Sequence, residues 1–273
     1  MSESFHHTHP SYLELTKWTY ANPEVVAGMT TRLGGEGVAP FDSFNLGWHV
    51  PDIQQTIRNN RETLAQLLQF PIQSWAGSKQ VHGTDVYTIT KKDIGRGALS
   101  NDDAIPDCDG LITNMKDVLL TAFYADCVPL FFYSPVEEWI GIAHAGWKGT
   151  VAGMGPKMIH AFEEKGVDPS SIRVAVGPSI SGEVYEVDEH VIQQIPSDKR
   201  VPPYVFPKKN NKYLLSLQDM HKQLLVEAGV PERNIEVSHY CTYQNEDLFF
   251  SHRRDQGNTG RMLGFIGMKS NVD

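Results

Sequence analysis

A chain of 273 residues, 40% hydrophobic and 10% aromatic, can bury a large core as one domain. Its 24 basic and 33 acidic residues give a formal charge of -9, and its basic clusters (Lys208, Lys209, Lys212; Arg253, Arg254) are short and interrupted, which argues against a nucleic-acid-binding face. No apolar run reaches membrane-spanning length and the N-terminus lacks a signal-peptide pattern, so the protein is expected to be cytoplasmic, with no membrane association.

In chain order, His6, His7 and His9 resemble a metal cluster, but a terminal stretch gives them no fixed geometry. Residues 1–24 therefore read as a tail and lead-in, ahead of a single domain over 25–273. Asp52 is placed to cap a helix whose apolar positions Ile53, Ile57, Leu64, Leu67 and Leu68 follow the helical period, with Pro71 beyond its end. The apolar, aromatic-rich runs 118–124, 128–133 and 139–143 read as buried strands, which sets Cys127 and His144 at strand ends. Val151, Met154, Met158, Ile159 and Phe162 then mark a helix ending near Gly166, bent or delayed by Gly155-Pro156. A strand over 172–176 stops at Gly177-Pro178. Ser216 with Asp219 approximates a capping box for a helix that carries His221 on its apolar face, a setting for a buried structural histidine. Ile235, Val237, His239 and Cys241 share one face of a following strand and read as packing residues, with His239 and Cys241 the rival ligand pair.

Cys108, Cys127 and Cys241 are too few, too widely spaced and odd in number for a disulfide framework, so they read as reduced thiols. Three segments set a metal-ligand type beside glycine or a carboxylate: Gln80-Val81-His82-Gly83, Ala125-Asp126-Cys127 and His144-Ala145-Gly146-Trp147. Two imidazoles and one thiolate can hold a catalytic zinc with a fourth position open, and their wide separation disfavours a closed structural site. Each residue alone also fits a core thiol or a turn histidine.

The run 121–135, the segment 140–150 with His144-Ala145-Gly146-Trp147-Lys148-Gly149, the Gln80-Val81-His82-Gly83 element and Phe249-Phe250-Ser251-His252-Arg253-Arg254-Asp255 together resemble the laccase-domain, polyphenol oxidase-like family of purine nucleoside phosphorylases. Thr30-Thr31-Arg32-Leu33-Gly34-Gly35, Asp107-Cys108-Asp109-Gly110 and Gly177-Pro178-Ser179-Ile180 extend the resemblance over about residues 25 to 268. It implies an α+β fold, a single domain with a large mixed β-sheet system flanked by helices. It also implies a metal triad of His82, Cys127 and His144. The implied activity is phosphorolysis of adenosine, inosine, guanosine or methylthioadenosine, with deamination of adenosine as well.

The chemistry assigns further roles. A zinc-activated water suits attack on the purine C6 carbon, and Asp126 is the candidate to move protons. Phosphate calls for a fixed cation: Arg32, beside a glycine turn, is the first candidate, with Lys148 and Arg254 behind it. The alternatives are a copper-dependent polyphenol oxidase using Met29, Met154 or Met262 as axial ligand, a metal-free hydrolase with Cys127 as nucleophile, and a non-enzymatic partner protein. The sequence leaves the oligomeric state open.

Overall fold

Every residue of the runs Val118–Tyr124 and Val128–Ser134 is buried, a condition that strands meet only when both faces are covered. The covering layers are visible in a computed structural model, which describes residues 3–270. In chain order its strands are β1 (Phe5–His9), β2 (Tyr12–Leu15), β3 (Val25–Thr30), β4 (Trp75–Gly77), β5 (Val86–Thr88), β6 (Gly110–Thr113), β7 (Val118–Tyr124), β8 (Val128–Ser134), β9 (Trp139–Ala145), β10 (Arg173–Val176), β11 (Glu186–Asp188), β12 (Val205–Pro207), β13 (Lys212–Leu215), β14 (Ile235–Val237) and β15 (Met262–Met268). The helices are α1 (Thr16–Ala21), α2 (Gln54–Leu68), α3 (Trp147–Val151), α4 (Met154–Glu163), α5 (Glu189–Gln194) and α6 (Leu217–Glu227). None is long and apolar enough to cross a membrane.

Two six-stranded mixed sheets, ordered β1-β2-β3-β15-β7-β4 and β14-β10-β8-β9-β6-β5, pack face to face, and a small third sheet has the order β11-β13-β12. Alternation along each strand sorts side chains into layers. Leu120, Tyr124, Phe131 and Ile142 fill the space between the large sheets. Leu130 and Phe132 point the other way, onto Met158 and Phe162 of α4, while Leu119 and Phe265 meet Leu64 of α2. Emptying one such site, as in Phe132→Ala, costs about 3–5 kcal/mol because the neighbours relax only in part. The fold is α+β, with the helices on the outer faces of the sheets.

Several local expectations need correction. Phe5–His9 is an edge strand paired with β2 rather than a tail, because Phe5 is buried and anchors it, although His6 and His7 remain exposed. The division at residue 25 thus falls between paired strands of one sheet, since β2 also pairs with β3. Asp52 does not cap α2. Its Oδ2 accepts from Asn45 Nδ2 at 2.9 Å, and Ile53 takes the N-cap position. The helix after His144 breaks at Gly153, whose φ of 84° is left-handed, and not at Gly155-Pro156.

Register brings the site together. β8 and β9 pair antiparallel with Pro129 opposite His144, so Cys127 lies beside the end of β9. β4 runs parallel to β7, and the chain beyond it stays alongside because Gln80 Nε2 donates to Phe123 O at 2.9 Å and Gln80 Oε1 accepts from Phe123 N at 2.7 Å. That clamp delivers His82 to the same end of the sheets.

Candidate active site

Asp109, immediately before β6, organises the site. Its buried carboxylate accepts from the amides of Val81 (3.0 Å), His82 (3.1 Å) and Gly83 (2.8 Å), and pairs with His144 Nδ1 at 2.7 Å. One carboxylate therefore fixes the turn that carries His82, where φ is 60°, and leaves the other ring nitrogen of His144 facing inward. Candidate ligand atoms of His82, Cys127 and His144 lie within 4.8 Å of one another, and this is the group of such residues found among the described residues. Gly146 permits the closeness: a Cβ there would meet Cys127 Sγ at 3.0 Å and His82 Cδ2 at 3.1 Å.

The electrostatics suit metal binding. Burial would raise the Cys127 thiol pKa, but the charge of His144 and hydrogen bonds from His144 and His82 bring it down to about 6. For His144, burial acts downward and is outweighed by the Cys127 sulfur and Asp109, which lift it to about 9. Burial would also raise Asp109, yet His144 and the amides of Gly83 and Val81 hold it low. Cys127 is thus a thiolate at neutral pH, the form a soft or borderline metal takes, and an incoming ion would displace a proton from the pair. Sulfur with two imidazole nitrogens fits zinc or copper, and Met29, Met154 and Met262 are fully buried outside the cavity wall.

The three residues open into a cavity of about 400 Å³ whose wall also includes His49, Lys79, Phe123, Tyr185, Arg253 and Arg261. Asp126 lines it too, but its carboxylate accepts from Thr242 Oγ1 (2.7 Å), Ser251 Oγ (3.0 Å) and Arg253 N (2.7 Å). Arg32 and Arg254 do not reach this cavity. They line a separate one with Asp42 and Glu246, where Arg32 donates to Asp42 Oδ2 at 3.1 Å and to the carbonyls of Asp42 and Glu246. Arg254 is spent on Asp255 and on the carbonyls of Thr242, Tyr243 and Phe249. Lys148 points elsewhere, over the Trp147 ring at 5.7 Å, beside an outer groove. His221 is buried as expected, with Nε2 at 2.8 Å from Thr150 Oγ1. Cys241 is buried as well, whereas His239 is exposed because β14 ends at Val237.

Sequence reasoning passed over Asp109, His49, Tyr185 and Arg261 as site residues. Asp109 stands in a quoted motif, and its pairing with glycine could have marked it as a turn anchor. Tyr185 likewise opens the Tyr185-Glu186-Val187 match to the family, whereas nothing local signals His49 or Arg261.

The fold is thus α+β, two packed mixed sheets with a His/Cys/His group where their strand ends meet. The chain belongs to the family described as multi-copper polyphenol oxidoreductase laccase, which matches residues 26–269. It is 42% identical over 270 residues to the purine nucleoside phosphorylase YlmD of Bacillus subtilis (strain 168), covering 96% of each chain. The relative of the same name from Geobacillus stearothermophilus is 43% identical over 247 residues, covering 89% of this chain and 90% of the relative. The crystal structure of YlmD from Geobacillus stearothermophilus matches with a TM-score of 0.94 at 40% identity, covering 98% of this chain and 100% of that one.

Proposed function

We propose that this protein is a purine nucleoside phosphorylase that also deaminates adenosine, working in the cytoplasm at a zinc ion held by His82, Cys127 and His144. Its substrates are adenosine, inosine, guanosine or methylthioadenosine, with phosphate as the second reactant. The observation that carries this reading is the meeting of a His/Cys/His cluster with a cavity rich in cations, in a chain whose overall charge is -9. When bound, zinc supplies a Lewis acid and lowers the pKa of water.

The side chains of the protein do the rest. Phe123 and Tyr185 offer aromatic surface to a purine, and the basic wall holds an oxyanion near the sugar carbon. Cleavage of the N-glycosidic bond leaves negative charge on the departing base, and the same positive wall stabilises that charge as it develops. Asp126, with its oxygens committed to three donors, acts as a positioning residue for the segment 251–254 rather than as a proton carrier. Asp109 orients His144 and supports its basicity.

The test is product identification with enzyme of measured metal content. Adenosine and phosphate should yield adenine and ribose 1-phosphate with some inosine, and stripping the metal should stop both reactions. The thiolate of Cys127 beside His144 also supports a second reading, a metal-free hydrolase with Cys127 as nucleophile. Activity that survives complete metal removal would favour it.

A further inference from the structure

We propose that Arg261, with Lys79 lining the same cavity, forms the subsite that holds inorganic phosphate; this rests on the phosphorylase reading above. Arg261 immediately precedes β15 and is clamped along its whole length. Its amide donates to Asn45 Oδ1 at 2.9 Å and its carbonyl accepts from Leu46 N at 3.1 Å. Its stem lies against Gly47, where a Cβ would approach Arg261 Cγ to 2.8 Å, so only glycine at 47 lets the side chain take this path. At the head, Nη1 donates to Thr259 O at 2.8 Å and Gly260 O at 2.9 Å.

Those two bonds leave the Nε/Nη2 edge, which has no acceptor among the described residues. That edge is the planar fork that pairs with two oxygens of a tetrahedral oxyanion. The contrast with other arginines is sharp. Arg32, Arg61 and Arg254 each donate from Nε, Nη1 and Nη2 to groups of the protein. Arg253 shares the cavity and, like Arg261, leaves Nε and Nη2 without an acceptor among the described residues, but its guanidinium is stacked on Tyr185 at 5.0 Å and its Nη1 donates to Glu186 O. Lys79 Nζ likewise has no acceptor among the described residues, and it lines the same cavity.

The charges around this wall favour an anion. Asp126 is the one carboxylate lining the cavity among the described residues, and its oxygens are already bonded. The half-buried guanidinium of Arg261 feels the charges of Cys127 and Asp126 but forms an ion pair with neither among the described residues, and an oxyanion in contact with it would offset its desolvation. The chemistry recognised is a tetrahedral oxyanion, and free phosphate is the source consistent with phosphorolysis; the phosphate group of a nucleoside monophosphate is the other source.

The experiment titrates inorganic phosphate and, separately, adenosine 5′-monophosphate against intact protein of known metal content, reading thermal midpoint and calorimetric affinity. Steady-state KM for phosphate and for nucleoside is measured in parallel. Wild-type protein should bind phosphate. Arg261→Gln should weaken that binding at least tenfold and raise the phosphate KM at least tenfold more than the nucleoside KM, with partial rescue in Arg261→Lys. If Arg261→Gln fails to melt cooperatively, Lys79→Met decides, since its ammonium makes no bond within the described fold. A loss of fivefold or more in phosphate affinity then supports the subsite, and a change under twofold overturns it. Phosphate affinity and KM within twofold of wild type in a folded Arg261→Gln protein overturns the proposal, as does Arg261-dependent binding of the monophosphate without binding of free phosphate. A wild-type protein that binds phosphate through Arg261 yet releases no ribose 1-phosphate would defeat the phosphorylase reading and leave the subsite standing.

Discussion

In the cavity lined by Arg32, Asp42, Glu246 and Arg254, the guanidinium donors end on carboxylates and backbone carbonyls of the protein itself. In the cavity lined by Cys127, His144, Lys79 and Arg261, a guanidinium edge and an ammonium have no acceptor among the described residues, and a cysteine sulfur lies beside two imidazoles. Both hollows are charged, so charge alone does not mark a site. What distinguishes them is whether the charges are already answered: the first cavity ties loops together, and the second holds valence for a ligand.

The largest effect should come from the answering groups at the metal end. Cys127→Ala or His144→Ala should remove most of one bound zinc equivalent, measured by atomic absorption, while the protein still melts cooperatively, because an open catalytic site contributes less to folding than a closed one. Full zinc retention in both variants would defeat the ligand assignment. Asp109→Asn should be next. It keeps the shape but removes the charge that orients His144 and the 81–83 turn, so zinc affinity should fall about 10–100-fold in a competition assay with a chelator. An affinity within twofold of wild type would make Asp109 a packing residue only.

The acid–base state of the pair gives a third handle. The folded-state pKa of Cys127 is depressed, so its thiolate persists as pH falls until about 6. In metal-free protein, iodoacetamide modification of Cys127 should therefore show its midpoint near pH 6, far below that of an ordinary thiol, and zinc should block it. A midpoint in the ordinary thiol range would show that His144 and His82 do not stabilise the thiolate. The smallest effect belongs to the self-satisfied cavity: Arg32→Ala should cost about 1–3 kcal/mol of stability through its lost bonds to Asp42 and Glu246, and leave the phosphate KM within twofold. A tenfold rise in that KM would erase the distinction between the two cavities.

The sequence made the residues of the His82, Cys127 and His144 cluster legible because each sits in a short motif whose chemistry is local. Uninterrupted apolar runs likewise disclosed β7 and β8 as doubly covered strands. Sheet order was not legible, since the partners of β7 are β4 and β15, which come from distant parts of the chain. Arg32 looked like an anion site because Gly34 and Gly35 follow it, yet the fold turns its donors onto Asp42. Arg261 gave no sign, as its place in the cavity depends on Asn45, Leu46 and Gly47 packing against it from the other end of the sequence. The tail reading of residues 5–9 failed for a similar reason: the partner that orders β1 is β2, and the histidines between the anchors carry no hint of it.

The most direct measurement follows adenosine and phosphate with enzyme of known zinc content, identifying products by chromatography and phosphorus NMR and assaying phenol oxidation on the same sample. Adenine and ribose 1-phosphate should form together with some inosine, and phenols should remain unoxidised, because zinc has no accessible redox step. Rapid phenol oxidation with nucleosides left intact would contradict the account and make the protein a copper-dependent oxidase.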